Sequence, residues 1–169
     1  GDEPTGARVN MGPPGLRRSE IPMTGPETDR IIDHKLRLDE TTVPLTCVSM
    51  GNPHAIVPVD DLGAYPWRKL GPRIETHDVF PERTNVHFVE TISGGEVDVA
   101  TWERGSGATL ACGTGASAVC VAMHLLGRTG RTLLAHLPGG DLQLEWSEDD
   151  DCVYMTGPAE EVFTGTWPD

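Results

Sequence analysis

No apolar run in this chain approaches the roughly 20 residues that a membrane-spanning helix needs, so the sequence predicts no such span. Basic residues are scarce. Thirteen lysines and arginines stand against 26 acidic residues, a formal net charge of −13, which argues against nucleic acid as a partner. The four cysteines, Cys47, Cys112, Cys120 and Cys152, form no CxxC pair, so a zinc or cluster spacing is lacking. Cys47 and Cys120 lie in apolar runs and Cys152 opens a strand-like run, which makes all three read as structural thiols. The composition is not that of a small disulfide-stapled domain, so a reducing, cytoplasmic compartment is expected. Residues 1–4 carry neither a basic region nor an apolar core, so no signal peptide is visible. Asp149, Asp150 and Asp151 are adjacent but lack the oxygen spacing of a calcium loop and read as a solvated turn. Nicotinamide, pyridoxal and metal signatures are absent too, and the expectation is chemistry without a cofactor or metal.

What is present is a chain of 169 residues, enough for one ordinary domain with a sizeable core. Residues 7–11 alternate like a short strand, and Gly12, Pro13, Pro14 and Gly15 stop it. Residues 16–34 are polar and broken by Pro22, Gly25 and Pro26, which predicts an irregular connection over the surface. Strands are expected over 35–38, 43–50, 55–59, 86–90 and 96–104, and later over 132–137, 142–146, 153–156 and 161–164. Trp67, Leu70 and Ile74 have helical spacing and predict a short surface helix over 66–74. Residues 116–126 are apolar on every side, the pattern of a buried helix. Strands before and after one buried helix imply an α+β domain, a curved antiparallel sheet wrapped around a central helix.

The chain is organised around residues 103–116, which read Glu-Arg-Gly-Ser-Gly-Ala-Thr-Leu-Ala-Cys-Gly-Thr-Gly-Ala. In the strand period Val97, Val99, Thr101 and Glu103 share a face, while Arg104 points away unless Gly105 and Gly107 let the strand bend. Cys112 falls at the N-terminus of the buried helix, where unpaired N–H groups and the dipole favour an anion. That position is expected to lower the thiol pKa below its free value of about 8.5. It also lets the Gly113 and Thr114 backbone cradle a carboxylate. A buried structural cysteine beside a glycine turn is the alternative reading. Asn52, held extended before Pro53, could donate to a carboxylate or accept from an ammonium group, or be a turn residue only. His54 could orient or deprotonate a thiol, or be an ordinary loop histidine. Asn85, at a strand entrance, carries the same two readings as Asn52.

Five segments in order along the chain give these residues a context. The stretch around Glu103, Arg104 and Cys112 resembles the late signature of the diaminopimelate epimerases, which are cofactor-independent isomerases. Met50-Gly51-Asn52-Pro53-His54 is similar to their Gly-Asn-Pro-His motif. Phe80-Pro81-Glu82-Arg83-Thr84-Asn85-Val86 is similar to their Phe-Pro-x-x-x-Asn-Val motif. Leu137-Pro138-Gly139-Gly140 and Met155-Thr156-Gly157-Pro158 resemble their late strands. The family's first half, with its Cys-Gly-Asn-Gly motif, has no counterpart here, so the resemblance is to the C-terminal half. It implies a lead-in strand and connection over 1–34, an epimerase domain over 35–158 and a tail strand over 159–169 returning to the first half.

The resemblance further implies that Cys112, assisted by Glu103, is one of two thiols exchanging protons with a diaminopimelate α-carbon. His54 would support the thiol of the missing half. Asn52, Asn85, Glu103, Arg104, Gly113 and Thr114 would bind substrate. Expected partners are the small-molecule substrate, the absent N-terminal half and a second copy in a homodimer. The fragment alone is expected to be inactive. Proline racemases share the Cys-Gly-Thr-Gly run but typically follow an Asp-Arg-Ser-Pro segment, whereas Ala111 precedes Cys112 here; phenazine isomerases lack the catalytic cysteines. A non-catalytic binding module derived from the same fold is the rival outside the enzymes.

Overall fold

The computed structural model describes residues 6–39 and 41–166. Thirteen elements follow one another: strands β1 (Ala7–Asn10), β2 (His34–Leu38), β3 (Thr41–Ser49) and β4 (Pro53–Val59); helix α1 (Trp67–Glu75); strands β5 (Asn85–Ser93), β6 (Glu96–Glu103) and β7 (Gly107–Thr109); helix α2 (Gly113–Leu125); and strands β8 (Thr132–Leu137), β9 (Gly140–Trp146) and β10 (Val153–Gly157), with a short 3-10 helix, Arg18–Glu20, after β1. The strands form one ten-stranded sheet in the order β1-β10-β9-β8-β6-β5-β4-β3-β2, with β7 paired to β6.

The α+β class is as expected, but the sheet is mixed rather than antiparallel. Strands β4 and β5 run parallel, and so do β6 and β8. Both departures have one cause. A crossover helix lies between the members of each pair, α1 in the first and α2 in the second, and a crossover returns the chain in the same direction.

Side chains alternate across the central strands and divide the interior into two layers. Ile56, Val89, Val97 and Val99 pack with α2, whose residues from Gly115 to Met123 are all buried. Ala55, Val57, Val86 and Phe88 face the opposite side, with Leu70 and Ile74 of α1. The expected one-face set Val97, Val99, Thr101 and Glu103 therefore lies toward α2. Gly71 of α1 is a point of close approach, since a Cβ there would lie 2.7 Å from Trp102 Cγ.

Two expectations fail. The connection over 16–34 does not run over the surface, because Ile21, Met23 and Ile31 are buried in the α1-side core. Spaced between prolines and glycines, they show no helical or strand period, so their burial was not visible in the pattern. No strand forms over 161–164, where Val162 and Phe163 are 83% and 80% exposed. Within this sheet β10 is already paired on both sides, with β9 and β1. Residues 167–169 of the expected tail, residues 1–5 and Glu40 lie outside the described residues. Among the described residues no helix is long and apolar enough to cross a membrane.

Candidate active site

The topology gathers the sequence-marked residues at one end of three adjacent strands. Strands β4 and β5 run parallel and begin there, with His54 opposite Asn85, while β6 runs the other way and ends there, at Glu103. Strand β7 returns along β6, and three residues after its end Cys112 caps α2. The β8–β9 hairpin steadies that link: the Gly139 N–H donates to the Leu110 carbonyl at 2.7 Å.

Cys112 is the N-cap of α2, with extended backbone and no side-chain capping bond. Its Sγ lies 3.6 Å from the Thr114 hydroxyl. The thiol pKa is raised rather than lowered, which corrects the expectation from helix position alone. Burial dominates; the Thr114 hydroxyl and the Gly115 N–H oppose it, and the neighbouring Glu103 carboxyl group pushes the same way as burial. The Glu103 carboxyl group is thus a neighbour of the thiol. The first N–H groups of α2, at Gly113 and Thr114, have no partner within the helix and follow directly on Cys112.

Asn85 is 4% exposed, and both ends of its amide are engaged. Its Nδ2 donates to the Pro53 carbonyl at 3.0 Å, and its Oδ1 accepts from the Arg104 N–H at 2.9 Å. It braces the Asn52–Pro53 turn against the β6–β7 corner. The Arg104 side chain turns outward, where Nη1 donates to the Glu82 carbonyl at 3.0 Å. Asn52 is half-buried, and its Oδ1 accepts from His54 Nε2 at 2.8 Å.

His54 itself is fully buried, not a loop residue, and its Nδ1 meets Nε2 of His87 at 2.9 Å. His87 Nδ1 in turn lies 3.0 Å from the Thr101 hydroxyl. Neither His87 nor Thr101 was marked by the sequence. The available signal was positional: both fall on the α2-facing side of β5 and β6, where a polar residue needs a partner. Glu75 was also missed. At the end of α1 it is buried and accepts from Trp102 Nε1 at 2.8 Å and the Gly105 N–H at 2.9 Å, fixing the corner that carries Glu103.

Burial pushes the His87 pKa down to about 3 and lowers that of His54 well below its ordinary value, with help from His87 and Arg104. Both rings are neutral in the fold, whereas in the unfolded chain they take up protons below about pH 6.5. Their contribution to stability is therefore complete above that pH and is lost progressively as pH falls toward the folded values. His87 alone can give a slope of up to about 1.4 kcal/mol per pH unit. In His87→Gln, urea unfolding midpoints should decline less steeply between about pH 6 and pH 4 than in the parent. Equal slopes would contradict this assignment.

All four cysteines are free thiols. Among the described residues no three histidine, cysteine or acidic side chains converge to hold a metal ion.

The family model described as diaminopimelate epimerase matches residues 46–162. A relative named diaminopimelate epimerase from Desulforudis audaxviator is 54% identical over 99% of this chain and 59% of its own length. One of the same name from Pelotomaculum thermopropionicum is 52% identical over 95% of this chain and 57% of its own. The chain thus spans somewhat over half the length of these curated relatives. Among solved structures, a hydroxyproline epimerase from Agrobacterium vitis with bound trans-4-hydroxy-L-proline superposes with a TM-score of 0.62. It is 18% identical, and the match covers 91% of this chain and 50% of that one, a likeness of fold.

Proposed function

This chain belongs to the diaminopimelate epimerase family, and we propose that it supplies one wall of an enzyme interconverting LL- and meso-diaminopimelate. The observation that carries this reading is Cys112 at the N-cap of α2, followed by the first N–H groups of the helix and with the Glu103 carboxyl group near its thiol. Inversion at an α-carbon removes a proton from one face and returns one to the other. An α-hydrogen is a very weak acid, so the base must be close and desolvated and the developing charge must be stabilised. Cys112, half-buried, meets the first requirement. In one direction Glu103 takes the thiol proton, Cys112 Sγ abstracts the α-proton, and a thiol on the opposite face delivers its own proton to the carbon. In the reverse direction Cys112 is the donor. The Gly113 and Thr114 N–H groups hold the reacting carboxylate as it becomes enolate-like.

On this reading the raised thiol pKa has a use, because it keeps Cys112 protonated until Glu103 or substrate draws the proton away. The Arg104 fork and Asn52 read the far end of the substrate, and Asn85 acts by holding both in place. The second thiol comes from the portion of the relatives' length that this chain does not match. The sheet is read as curling around α2, with residues 159–169 crossing to the other half. The exposed Val162 and Phe163 are what such a crossing segment would bury. Unpaired, the same surface would favour self-association into a homodimer.

The fold likeness to a hydroxyproline epimerase supports a second reading, a proline racemase-like enzyme. The two separate on substrate. Joined to the unmatched first portion of the Desulforudis audaxviator relative, this chain should epimerise diaminopimelate and leave L-proline unchanged. Faster turnover of proline would establish the racemase reading instead, and turnover of neither would leave a non-catalytic binding module.

A further inference from the structure

The last residue of α1, Glu75, is a buried acid that the proton transfer at Cys112 does not touch. Neither its place nor its burial suits the helix. An acid in the last turn opposes the helix dipole, and a buried acid costs stability unless it is paired. Its partners lie outside α1. Oε2 accepts from the Trp102 indole Nε1–H at 2.8 Å, and Oε1 accepts from the Gly105 N–H at 2.9 Å. Arg83 Nη1 stands 3.6 Å from Oε1, the one ion pair Glu75 makes among the described residues. All three groups are donors, so the position calls for two acceptor oxygens on one side chain.

These bonds close around the residue beside the thiol. Strand β6 ends at Glu103, and Arg104, Gly105 and Ser106 carry the chain into β7, with the Ser106 N–H donating back to the Glu103 carbonyl at 3.1 Å. Gly105 takes a φ of +78°, the left-handed conformation that so tight a corner requires. After Glu103, the Arg104 N–H is held by Asn85 Oδ1 and the Gly105 N–H by Glu75. Before it, Trp102 is held by Glu75 and by its close approach to Gly71. Glu103 therefore lies between anchored residues. Alternation along the strand sends Trp102 into the α1-side core and Glu103 toward α2. Glu75 thus sits behind the sheet, on the side away from Cys112, and reaches Glu103 through the backbone.

We propose that Glu75 is a positioning residue for the proton transfer, holding the corner over residues 102–105 so that the Glu103 carboxyl group stays near the Cys112 thiol. The proposal rests on the reading of Cys112 as an acid–base group. A carboxyl group beside a thiol makes the thiolate harder to form, so the placement of Glu103 can be read in how readily Cys112 ionises. Release of the corner lets Glu103 move off, and the thiol then ionises at lower pH. The role is one of hydrogen bonding rather than charge. Oε1 faces two donors and Oε2 faces one, so a glutamine keeps its oxygen on Gly105 and gives up the indole bond. A methionine, close in shape, serves neither donor.

Alkylation of residues 1–169 between about pH 6 and pH 10, with peptide mapping to follow Cys112, tests this without any turnover. Glu75→Met should lower the pH midpoint by about half a unit, seen as about threefold faster labelling below it. Glu75→Gln should keep the parent's midpoint. Glu103→Gln should lower the midpoint too, and adding Glu75→Met to it should change nothing further, because the effect passes through Glu103. An unchanged midpoint in Glu75→Met, equal shifts in the Met and Gln variants, or additive shifts in the double variant overturn the proposal. If Glu75→Met does not fold, amide hydrogen exchange in the parent decides. The Gly105 N–H should exchange at least about tenfold more slowly than that of Gly94 in the exposed β5–β6 turn, and equal rates overturn the proposal. In the enzyme completed with the relative's first portion, Glu75→Met should lower kcat about tenfold or more, and Glu75→Gln by less. Parental turnover in Glu75→Met overturns the proposal. A completed parent that epimerises nothing ends the epimerase reading, and the alkylation result still decides this one.

Discussion

Cys112→Ser, made in the enzyme that joins this chain to the first portion of a relative, is expected to lower epimerase turnover about 10²–10⁴-fold, the range a positioned acid–base group contributes. A serine hydroxyl at this site cannot be ionised by a neighbouring carboxyl group near neutral pH, so the proton transfer loses its base in one direction and its matched acid in the other. The fold should not suffer. Cys112 occupies the N-cap of α2 without a side-chain capping bond. Serine is among the preferred residues at that position, so stability should hold or rise by up to about 1 kcal/mol. An unchanged or raised urea midpoint with collapsed turnover is the expected pair of results. Activity within threefold of the parent would remove Cys112 from the chemistry.

The second large effect is expected at Gly115. Intrinsic helix propensity favours alanine over glycine by about 1 kcal/mol in a helix interior, so Gly115→Ala would ordinarily stabilise α2. Here the new Cβ would overlap the His87 ring, which is fully buried and pinned on both sides by hydrogen bonds. Overpacking of this kind costs about 1–3 kcal/mol and outweighs the propensity gain. The variant should therefore be less stable, and relief of the overlap should shift the first turn of α2, carrying Cys112 and the Gly113 and Thr114 N–H groups with it. A displacement near 1 Å at such groups can cost on the order of 10² in rate. A more stable Gly115→Ala would show that propensity wins and that the helix is not seated on His87.

Much of this arrangement was legible before any coordinates. The all-round apolar run gave away α2 as buried, and the period of two in β6 placed Glu103 on the helix-facing side near Cys112. What escaped notice has physical causes. Sheet direction depends on crossovers, and the two parallel pairs arise because α1 and α2 each lie between strands that end up adjacent. Burial of Ile21 and Ile31 comes from tertiary packing of an irregular segment, which has no period to read. The Cys112 pKa was expected to fall because a helix terminus can be read from sequence. Its rise comes from burial and from Glu103, contributions that need three dimensions. Asn85 was marked as a ligand contact from its motif. The structure shows one bond at each end of its amide, to the Pro53 carbonyl and from the Arg104 N–H, a brace that no motif announces. His87 and Thr101 sat unmarked in an apolar strand pattern, since polar residues within such a pattern announce nothing until their partners are known.

The claim on which the rest depends is that this chain holds one of two acid–base groups, so that neither half inverts the substrate alone. With one wall only, charge contacts to the substrate's far side are open to water and screened, and no second group stands on the opposite face. The direct measurement is epimerisation of LL-diaminopimelate by purified residues 1–169 alone, and again after mixing with the separately produced first portion of the Desulforudis audaxviator relative. The account predicts no turnover alone, turnover on mixing, and none on mixing when Cys112→Ser is used. Turnover by residues 1–169 alone would contradict it.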